Sequence, residues 1–437
     1  MSSWILRTNR QIQQYFLGLF ILTMNLGCIR FLFPFQIINL GGSTIQISNA
    51  SVLFSAGQII GLLILGALIQ SNQKRLLTGG GLLAFLMLSM SIIIDPVLLM
   101  VMKILEGGGY GLLFLGVISL ASQFPKREGE VLGGLFAAIF GGLAIGQGIA
   151  GITWNLMLDQ TELTSIQSIQ LIAGLASILT VISLLILVRT IQSTSKGERK
   201  VWKWQHFHLE PWVRKMFVVP SIALLLLIYS LYDLAHGLYT PNLSILLTAQ
   251  GISEVGVSLG YLVGDMTWGV SQLFAGRLVD RRGYYIPLIL SLLLKGVTVI
   301  FYPEANFISA LFVLLMLAGL AEGFLEPVRN KAALIVEMKQ KYEHSHLHLD
   351  VGFGSSRGIV LGAHGHVHEH EFKTDSFVGA LQTVGILFFG FGSILGSWFL
   401  IQGYTLKDIT LLGGLCLVGT SLASIVFAGY QKRKNND

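Results

Sequence analysis

Long, uninterrupted apolar runs constrain this chain more than any other feature of its sequence. An α-helix needs about 20 consecutive apolar residues to cross the hydrocarbon core of a bilayer. Twelve runs of roughly this length can be read along the chain: 15–38, 49–70, 76–94, 97–124, 129–157, 166–190, 216–240, 255–279, 284–302, 306–337, 377–401 and 406–430. Because lipid offers no partners to backbone polar groups, such runs are expected to be helical. The sequence therefore predicts an all-α integral membrane protein with twelve transmembrane helices.

The composition supports this class. Hydrophobic residues make up 53% of the chain and charged residues 12%, far from the average of soluble domains. The first run follows Arg7 and Arg10, but it is too long for a signal peptide and lacks a small-residue cleavage site, so we expect it to be retained. Cys28 and Cys416 both fall inside apolar runs, which gives no indication of a disulfide framework or a thiolate metal site.

The formal net charge of +6 does not indicate a nucleic-acid partner, because the basic residues are concentrated in alternate loops. This asymmetry follows the positive-inside rule and predicts that both termini are cytoplasmic, in what we expect to be a bacterial plasma membrane. The basic positions are Arg7, Arg10, Lys74, Arg75, Lys126, Arg127, the run from Lys196 to Lys215, Arg281, Arg282 and Lys432 to Lys434.

The polar stretches divide the chain into two halves. We predict a six-helix bundle over residues 1–190, a cytoplasmic connector over 191–215 and a second six-helix bundle over 216–437. The connector mixes basic residues with tryptophan, which is typical of a segment on the anionic membrane surface; a docking site for a partner is the alternative. A second long polar segment, 338–376, is predicted to be a cytoplasmic loop.

One short polar turn in the second half has a distinctive pattern. Gly276, Asp280, Arg281 and Gly283 form the sequence G-x-L-x-D-R-x-G between two apolar runs. It resembles the loop motif of the major facilitator superfamily of secondary transporters, which joins the second and third helices of each six-helix half. The resemblance implies that Asp280 caps a neighbouring helix end and that the basic residues stabilise one access state. A positive helix N-terminus suits an aspartate in that role.

A degenerate copy of this motif lies 210 positions earlier, from Gly66 to Arg75. Gln70 and Gln73 stand where the motif has aspartate and glycine, so the same capping is not expected there. Two copies half a chain apart are typical of a duplicated transporter. The resemblance implies two six-helix bundles around a central cavity, alternating access driven by an ion gradient, no ATP site, no enzymatic activity and a monomer.

The fourth run reads Leu99-x-x-x-Lys103-x-x-Glu106-Gly107-x-Gly109. It resembles the fourth-helix motif of the superfamily, associated with proton coupling, with lysine in place of arginine and glutamate in place of glutamine. Lys103 and Glu106 are spaced to share a helix face and neutralise each other. A purely structural ion pair is the alternative to a coupling role.

The fifth run carries small residues at a characteristic spacing. Gly133, Gly142, Gly146, Gln147 and Gly151 resemble the fifth-helix motif of antiporters in the superfamily, with Gln147 in place of its proline. Glycines let helices approach closely, so we predict a smooth contact about which the halves can rock. Ordinary small-residue packing would give the same pattern.

Further charges lie inside the apolar runs, where each is a functional hypothesis because burial in lipid is costly. Three cations are set against five acids, so two acids lack an obvious cation, and Asp265 and Glu322 are predicted to be those two. Asp233 or Glu326 could instead lie at the headgroup level and be solvated. The cations are Arg30, Lys103 and Arg329, and the acids are Glu106, Asp233, Asp265, Glu322 and Glu326; His236, Trp268 and Gln272 share helix faces with them.

Seven of the ten histidines occur in the second polar segment, in strict alternation. Such a tract can bind zinc, nickel or copper, but it could equally be a low-complexity spacer or a pH-sensitive loop. The residues are His344, His346, His348, His364, His366, His368 and His370.

Through its fifth-run glycines the chain most resembles the proton-coupled efflux branch of the superfamily. That resemblance implies proton-coupled export, which we expect to act on a small amphipathic organic molecule. In this hypothesis, protonation of Asp265, Glu322 or Glu106 alternates with substrate occupancy of the cavity, and no cofactor is needed. One alternative is a divalent-metal exporter that uses the histidine segment. Another is a non-transporting membrane sensor or scaffold that has kept the fold.

Overall fold

The chain forms a helical bundle, seen in a computed structural model that describes residues 10–69, 71–121, 128–194, 220–282, 285–345 and 374–434. These residues form twelve long helices, which confirms the predicted all-α fold. The helices are α1 (Arg10–Asn39), α2 (Thr44–Ile59, continued by a π-helix over Ile60–Leu65 and by Gly66–Leu68), α3 (Asn72–Ile92), α4 (Pro96–Ala121), α5 (Glu128–Gln160), α6 (Ser165–Thr194), α7 (Pro220–Tyr239), α8 (Glu254–Arg282), α9 (Tyr285–Phe301), α10 (Ile308–Ser345), α11 (Thr374–Ile401) and α12 (Leu406–Lys434). Short helices Thr240–Asn242, Leu243–Ala249 and Tyr302–Glu304 lie between them.

Eleven segments of the described chain are long and apolar enough to cross a membrane, and α8 is not among them. That helix carries Asp265 in its middle and a charged end from Arg277 to Arg282, which lower its mean hydropathy. It nevertheless lies within the bundle, packed against α5 and α10. Its polar composition therefore reflects a face turned away from lipid.

Several helix boundaries differ by a few residues from the sequence prediction, and two of the differences have a local physical cause. α2 begins at Thr44 because Ser43 and Gln46 form a capping box, in which each side chain satisfies the other residue's backbone N–H. α10 continues to Ser345, so the backbone of residues 338–345, predicted to be loop, is helical. Polar residues can continue a helix beyond its apolar part. The end of such a helix cannot be located from hydrophobic periodicity, so the sequence placed the end of α10 too early.

Glycines bring helices of the same half into close contact. A Cβ on Gly146 of α5 would lie 1.8 Å from the carbonyl oxygen of Met24 on α1, and one on Gly107 of α4 would lie 1.9 Å from that of Phe54 on α2. In the second half a Cβ on Gly319 of α10 would lie 2.0 Å from a carbonyl oxygen of α8. Each half is therefore built on backbone-to-backbone packing.

The glycines of α5, predicted to form a contact about which the halves rock, face two different neighbours. Gly142 and Gly146 face α1 within the same half, contrary to a contact between halves. Gly151 faces Ser258 of α8 in the other half, and Ser258 donates a hydrogen bond of 3.0 Å to the backbone oxygen of Gln147. Gly142 and Gly146 are one turn apart and share a face of α5, whereas Gly151 is five residues further on and points to a different side, toward α8.

Further hydrogen bonds join the halves near the helix ends remote from the chain termini, which we call the distal end. Asn242 donates to Ser48 over 2.7 Å, and Ser397 donates to Asn49 over 3.0 Å. Both bonds lie where α2 begins. They hold the two bundles together at the distal end.

The degenerate first-half motif has its own structural role. The guanidinium of Arg75, which is 1% exposed, donates from Nε to the backbone oxygen of Ile69 and from Nη2 to that of Gly66, each over 2.7 Å. These carbonyls belong to the end of α2, where helical partners are missing. Arg75 therefore caps this helix end although the neighbouring Gln70 and Gln73 depart from the motif.

Candidate functional site

A cavity of about 320 Å³ lies between the two bundles. Its lining combines charged, aromatic and small residues from both halves. The lining includes six charged residues and one histidine: Arg30, Lys103, Glu106, Asp265, Lys295, Glu322 and His236. Most of the intramembrane charges singled out in the sequence are thus brought to one place.

The first-half wall holds one acid between two cations. Arg30 on α1 donates from Nε to Glu106 Oε1 over 2.9 Å, and Lys103 bonds the other carboxylate oxygen from one turn earlier on α4. Glu106 is 1% exposed. The spacing of Lys103 and Glu106 predicted their pairing; Arg30 adds a second cation from a different helix.

Aromatic rings surround the two cations. The Arg30 guanidinium carbon lies 5.2 Å from the centre of the Phe54 ring and 4.7 Å from that of Tyr110. The Lys103 ammonium lies 4.1 Å from the centre of the Phe33 ring. The negative ring faces stabilise positive charge that a single carboxylate does not balance.

The second-half wall contains a cluster that the sequence interpretation did not foresee. Lys295 Nζ on α9 lies 2.5 Å from Glu322 Oε1 on α10, and His236 Nε2 on α7 lies 3.9 Å from the same oxygen. The prediction that Glu322 lacks a cation is therefore wrong. Lys295 stands alone in the middle of the run 284–302, and counting every intramembrane lysine would have found it.

Asp265 on α8 differs from the two glutamates. It forms no ion pair within the part of the chain that the structure describes. The Gln147 side chain hydrogen-bonds to it from α5 of the other half, and Arg30, Lys295 and Glu322 interact with it electrostatically over longer distances. This carboxylate lies at the contact between the halves, and its direct partner among the described residues is the neutral Gln147.

The cavity also has polar atoms that no described group satisfies. Among the described residues, Arg30 Nη2, Gln147 Oε1 and Trp268 Nε1 are buried without a hydrogen-bond partner, and all three residues line the cavity. Buried polar groups are generally paired in folded proteins. Two donors and one acceptor are therefore available to a bound molecule.

Other predicted site residues lie elsewhere. Asp233 and Gln272 are not part of the cavity lining, although His236 and Trp268 on the same helices are. Within the described residues no group of three or more His, Cys, Asp or Glu side chains could hold a metal. Gly133 lies in α5 and Gly276 in α8. The surroundings of these two glycines, residue Gly283, and the side chains of Glu326, Arg329, Asp280, Arg281 and the histidine segment lie outside the described part.

A sequence model of the Major Facilitator Superfamily matches residues 15–335, which is well over half of the chain. The chain belongs to this superfamily. Its fold is similar to solved structures of the nucleoside transporter NupG. A mutant form has a TM-score of 0.69 at 12% identity, with 96% of this chain and 100% of that chain covered. Another NupG structure has a TM-score of 0.64 at 13% identity, with 96% and 99% covered.

No curated protein sequence matches the chain. Membership of the major facilitator superfamily accounts for the two bundles and the cavity between them. It makes this protein a membrane-embedded secondary transporter with a small-molecule substrate. At these identities the NupG structures show the fold alone.

Proposed function

We propose that this transporter exports a small amphipathic organic molecule in exchange for protons, and that Asp265 carries the proton. The observation behind the proposal is the contrast among the three cavity acids. Glu106 and Glu322 each have a lysine in direct contact, whereas Asp265 has no cation partner among the described residues. A carboxylate that is permanently paired with a cation is stabilised in its ionised form. A buried carboxylate without a cation takes up a proton more readily.

The expected coupling follows from the cost of burying charge. When Asp265 is ionised and no substrate is bound, closing the bundles would bury an unpaired carboxylate, which is unfavourable. Either a proton or a cationic group of the substrate removes that cost. Because the two compete for one carboxylate, their alternation produces exchange, and an inward proton gradient then drives export.

The lining supports an amphipathic substrate. Phe31, Tyr239, Tyr261, Trp268 and Phe389 contribute rings to the cavity wall. Ring faces and buried donors together suit a molecule with a flat apolar part and polar substituents. Because the fold is similar to that of a nucleoside transporter, nucleosides are suitable uncharged compounds to include when candidate substrates are tested.

The hydrogen bonds between halves support alternating access. Asn242 with Ser48 and Ser397 with Asn49 join the bundles at the distal end. Transport requires these bonds to break when the cavity opens on that side. Neutral hydrogen bonds contribute only about 0.5–1.5 kcal/mol each, so such a contact can be made and broken within a transport cycle.

The test is proton flux in proteoliposomes that contain a pH-sensitive dye. Addition of a transported compound should release protons from the lumen in the native protein, and Asp265→Asn should abolish this release. Asp159→Asn, at an exposed position near the end of α5, is the matched control and should behave as the native protein does. Full proton-coupled transport by Asp265→Asn would contradict the assignment.

A further inference from the structure

We propose that the substrate is a ring-bearing zwitterion, with its cationic group at Asp265 and its anionic group at Arg30. This inference rests on the proposed function, since it specifies what occupies the same cavity. The cavity walls carry opposite net charges, and each wall has one charged group that is incompletely paired.

Charge is distributed unequally between the two cavity walls. The first-half wall holds Arg30 and Lys103 against Glu106, a net charge of +1. The second-half wall, with His236 neutral, holds Lys295 against Glu322 and Asp265, a net charge of −1. The cavity is therefore neutral as a whole but strongly polar from one wall to the other.

Arg30 provides the anion-binding group. Only its Nε has a hydrogen-bond partner among the described residues, so both terminal nitrogens are available. The side chain is 26% exposed and lines the cavity. A guanidinium presents parallel N–H donors that match a carboxylate or phosphate, and here the Phe54 and Tyr110 rings help to fix its plane.

Asp265 provides the cation-binding group on the opposite wall. Its carboxylate is more than 4 Å from the Arg30 nitrogens, since the two form no ion pair, yet it interacts with Arg30 electrostatically. Rings from Tyr261 and Trp268 line the cavity beside it. An ammonium group there gains both the carboxylate and cation–π attraction.

Electroneutrality distinguishes a zwitterion from singly charged molecules. A cation would neutralise Asp265 but leave Arg30 without an anion, and an anion would leave Asp265 without a cation. Both would add net charge to a closed cavity of low dielectric constant, where uncompensated charge is costly. A zwitterion pairs both groups and adds no net charge.

A set of ring compounds that differ only in charge tests this proposal. The probes are 4-(aminomethyl)benzoate, which has both charges, 4-methylbenzoate, which lacks the amine, and 4-methylbenzylamine, which lacks the carboxylate. Binding to the purified full-length protein in nanodiscs is measured by calorimetry and by tryptophan fluorescence. We expect the zwitterion to bind at least about tenfold more tightly than either relative, which is the scale of one additional charge-assisted contact.

Two substitutions assign the charges to their walls. Arg30→Gln should reduce the affinity for the zwitterion to that for 4-methylbenzylamine, and Asp265→Asn should reduce it to that for 4-methylbenzoate. Because Arg30→Gln also removes a partner of Glu106, Arg30→Lys serves as a second variant that keeps the cation. It should retain the preference for the zwitterion, and thermal unfolding checks that each variant is folded.

The proposal is overturned if the zwitterion does not bind, if all three probes bind equally, or if the preference survives both Arg30→Gln and Asp265→Asn. Binding needs no gradient, so its outcome is separate from that of the proposed function. The expected binding pattern without proton flux would reject proton exchange alone. Proton-coupled transport of singly charged compounds, with no preference for the zwitterion, would reject this inference alone.

Discussion

Glu322 on α10 lies 2.5 Å from Lys295, and its counterpart in the other half, Glu106 on α4, lies 2.9 Å from Arg30. Each glutamate is on the fourth helix of its half and faces a basic residue on the first helix of that half. Glu106 faces Arg30 on α1, and Glu322 faces His236 on α7. Parallel repeats related by an axis along the membrane normal produce such correspondence. The duplicated halves have thus kept a buried glutamate with basic partners, while Asp265 has no cation of its own among the described residues.

Removal of Lys295 should destabilise the protein strongly. Lys295→Met leaves the Glu322 carboxylate, whose side chain is 14% exposed, without its close cation and with the Tyr232 side chain and the more distant His236 as partners. Breaking a buried ion pair from one side costs about 3–5 kcal/mol. Thermal unfolding of the purified protein measures this loss, and Lys295→Met/Glu322→Met should regain most of it. A double variant no more stable than the single one would contradict the ion pair as the cause.

Glu106→Gln should abolish transport. The loss of stability should be smaller than expected for removing the anion from two buried cations. The change leaves Arg30 and Lys103 facing each other without an anion, although the rings of Phe54, Tyr110 and Phe33 still contact them. Repulsion should displace Arg30 within the cavity. Flux assays compare the variant with Glu304→Gln, at an exposed distal position. Native flux in both variants would show that the cluster is not needed for transport.

A methyl group on Gly146 should separate α1 from α5. Gly146→Ala places a Cβ 1.8 Å from the Met24 carbonyl oxygen, an overlap that the backbones must relieve by moving. Overpacking of this kind costs about 1–3 kcal/mol. Gly81→Ala on α3 is the control, since nothing lies within 4 Å of its added Cβ and alanine favours a helix. Unfolding temperatures should fall for the first variant and stay level or rise for the second.

Weakening the distal hydrogen bonds should favour opening at that end. Ser48→Ala/Asn49→Ala removes the acceptors for Asn242 and Ser397, a loss of about 1–3 kcal/mol for two bonds. A thiol reagent should then label Ser51→Cys in the cavity wall several-fold faster, with Cys28 and Cys416 replaced by serine. Ser91→Ala is the control, because among the described residues the Ser91 hydroxyl donates only to Leu88 of its own helix. Unchanged labelling would show that these bonds do not hold the distal end closed.

The histidine segment should be separable from cavity transport. We expect deletion of residues 344–370 to remove divalent-metal binding by the purified protein while proton-coupled flux of the organic substrate continues. Elemental mass spectrometry of cells expressing the native and deleted proteins measures any export of zinc, nickel or copper. Metal levels lowered by the native protein alone would instead favour the metal-exporter alternative.

The sequence by itself determined the helical architecture and much of the candidate site. Apolar run length specifies a membrane helix because unpaired backbone groups are not tolerated in lipid, and the predicted runs agree with all twelve helices to within several residues. Arg30, Glu106 and Asp265 stand out for the same reason, since charge in such a run is costly. The i, i+3 spacing of Lys103 and Glu106 also sufficed to predict their contact, because one helix fixes it.

Only the tertiary structure decided the contacts between helices. That Lys295 pairs with Glu322, that Arg30 reaches Glu106, and that Gly146 faces α1 while Gly151 faces α8 depend on how the helices are rotated and ordered in the bundle. Sequence spacing carries no information on a distance between residues 76 positions apart. The balance of charge around the cavity, and with it the distinct position of Asp265, follows from packing alone.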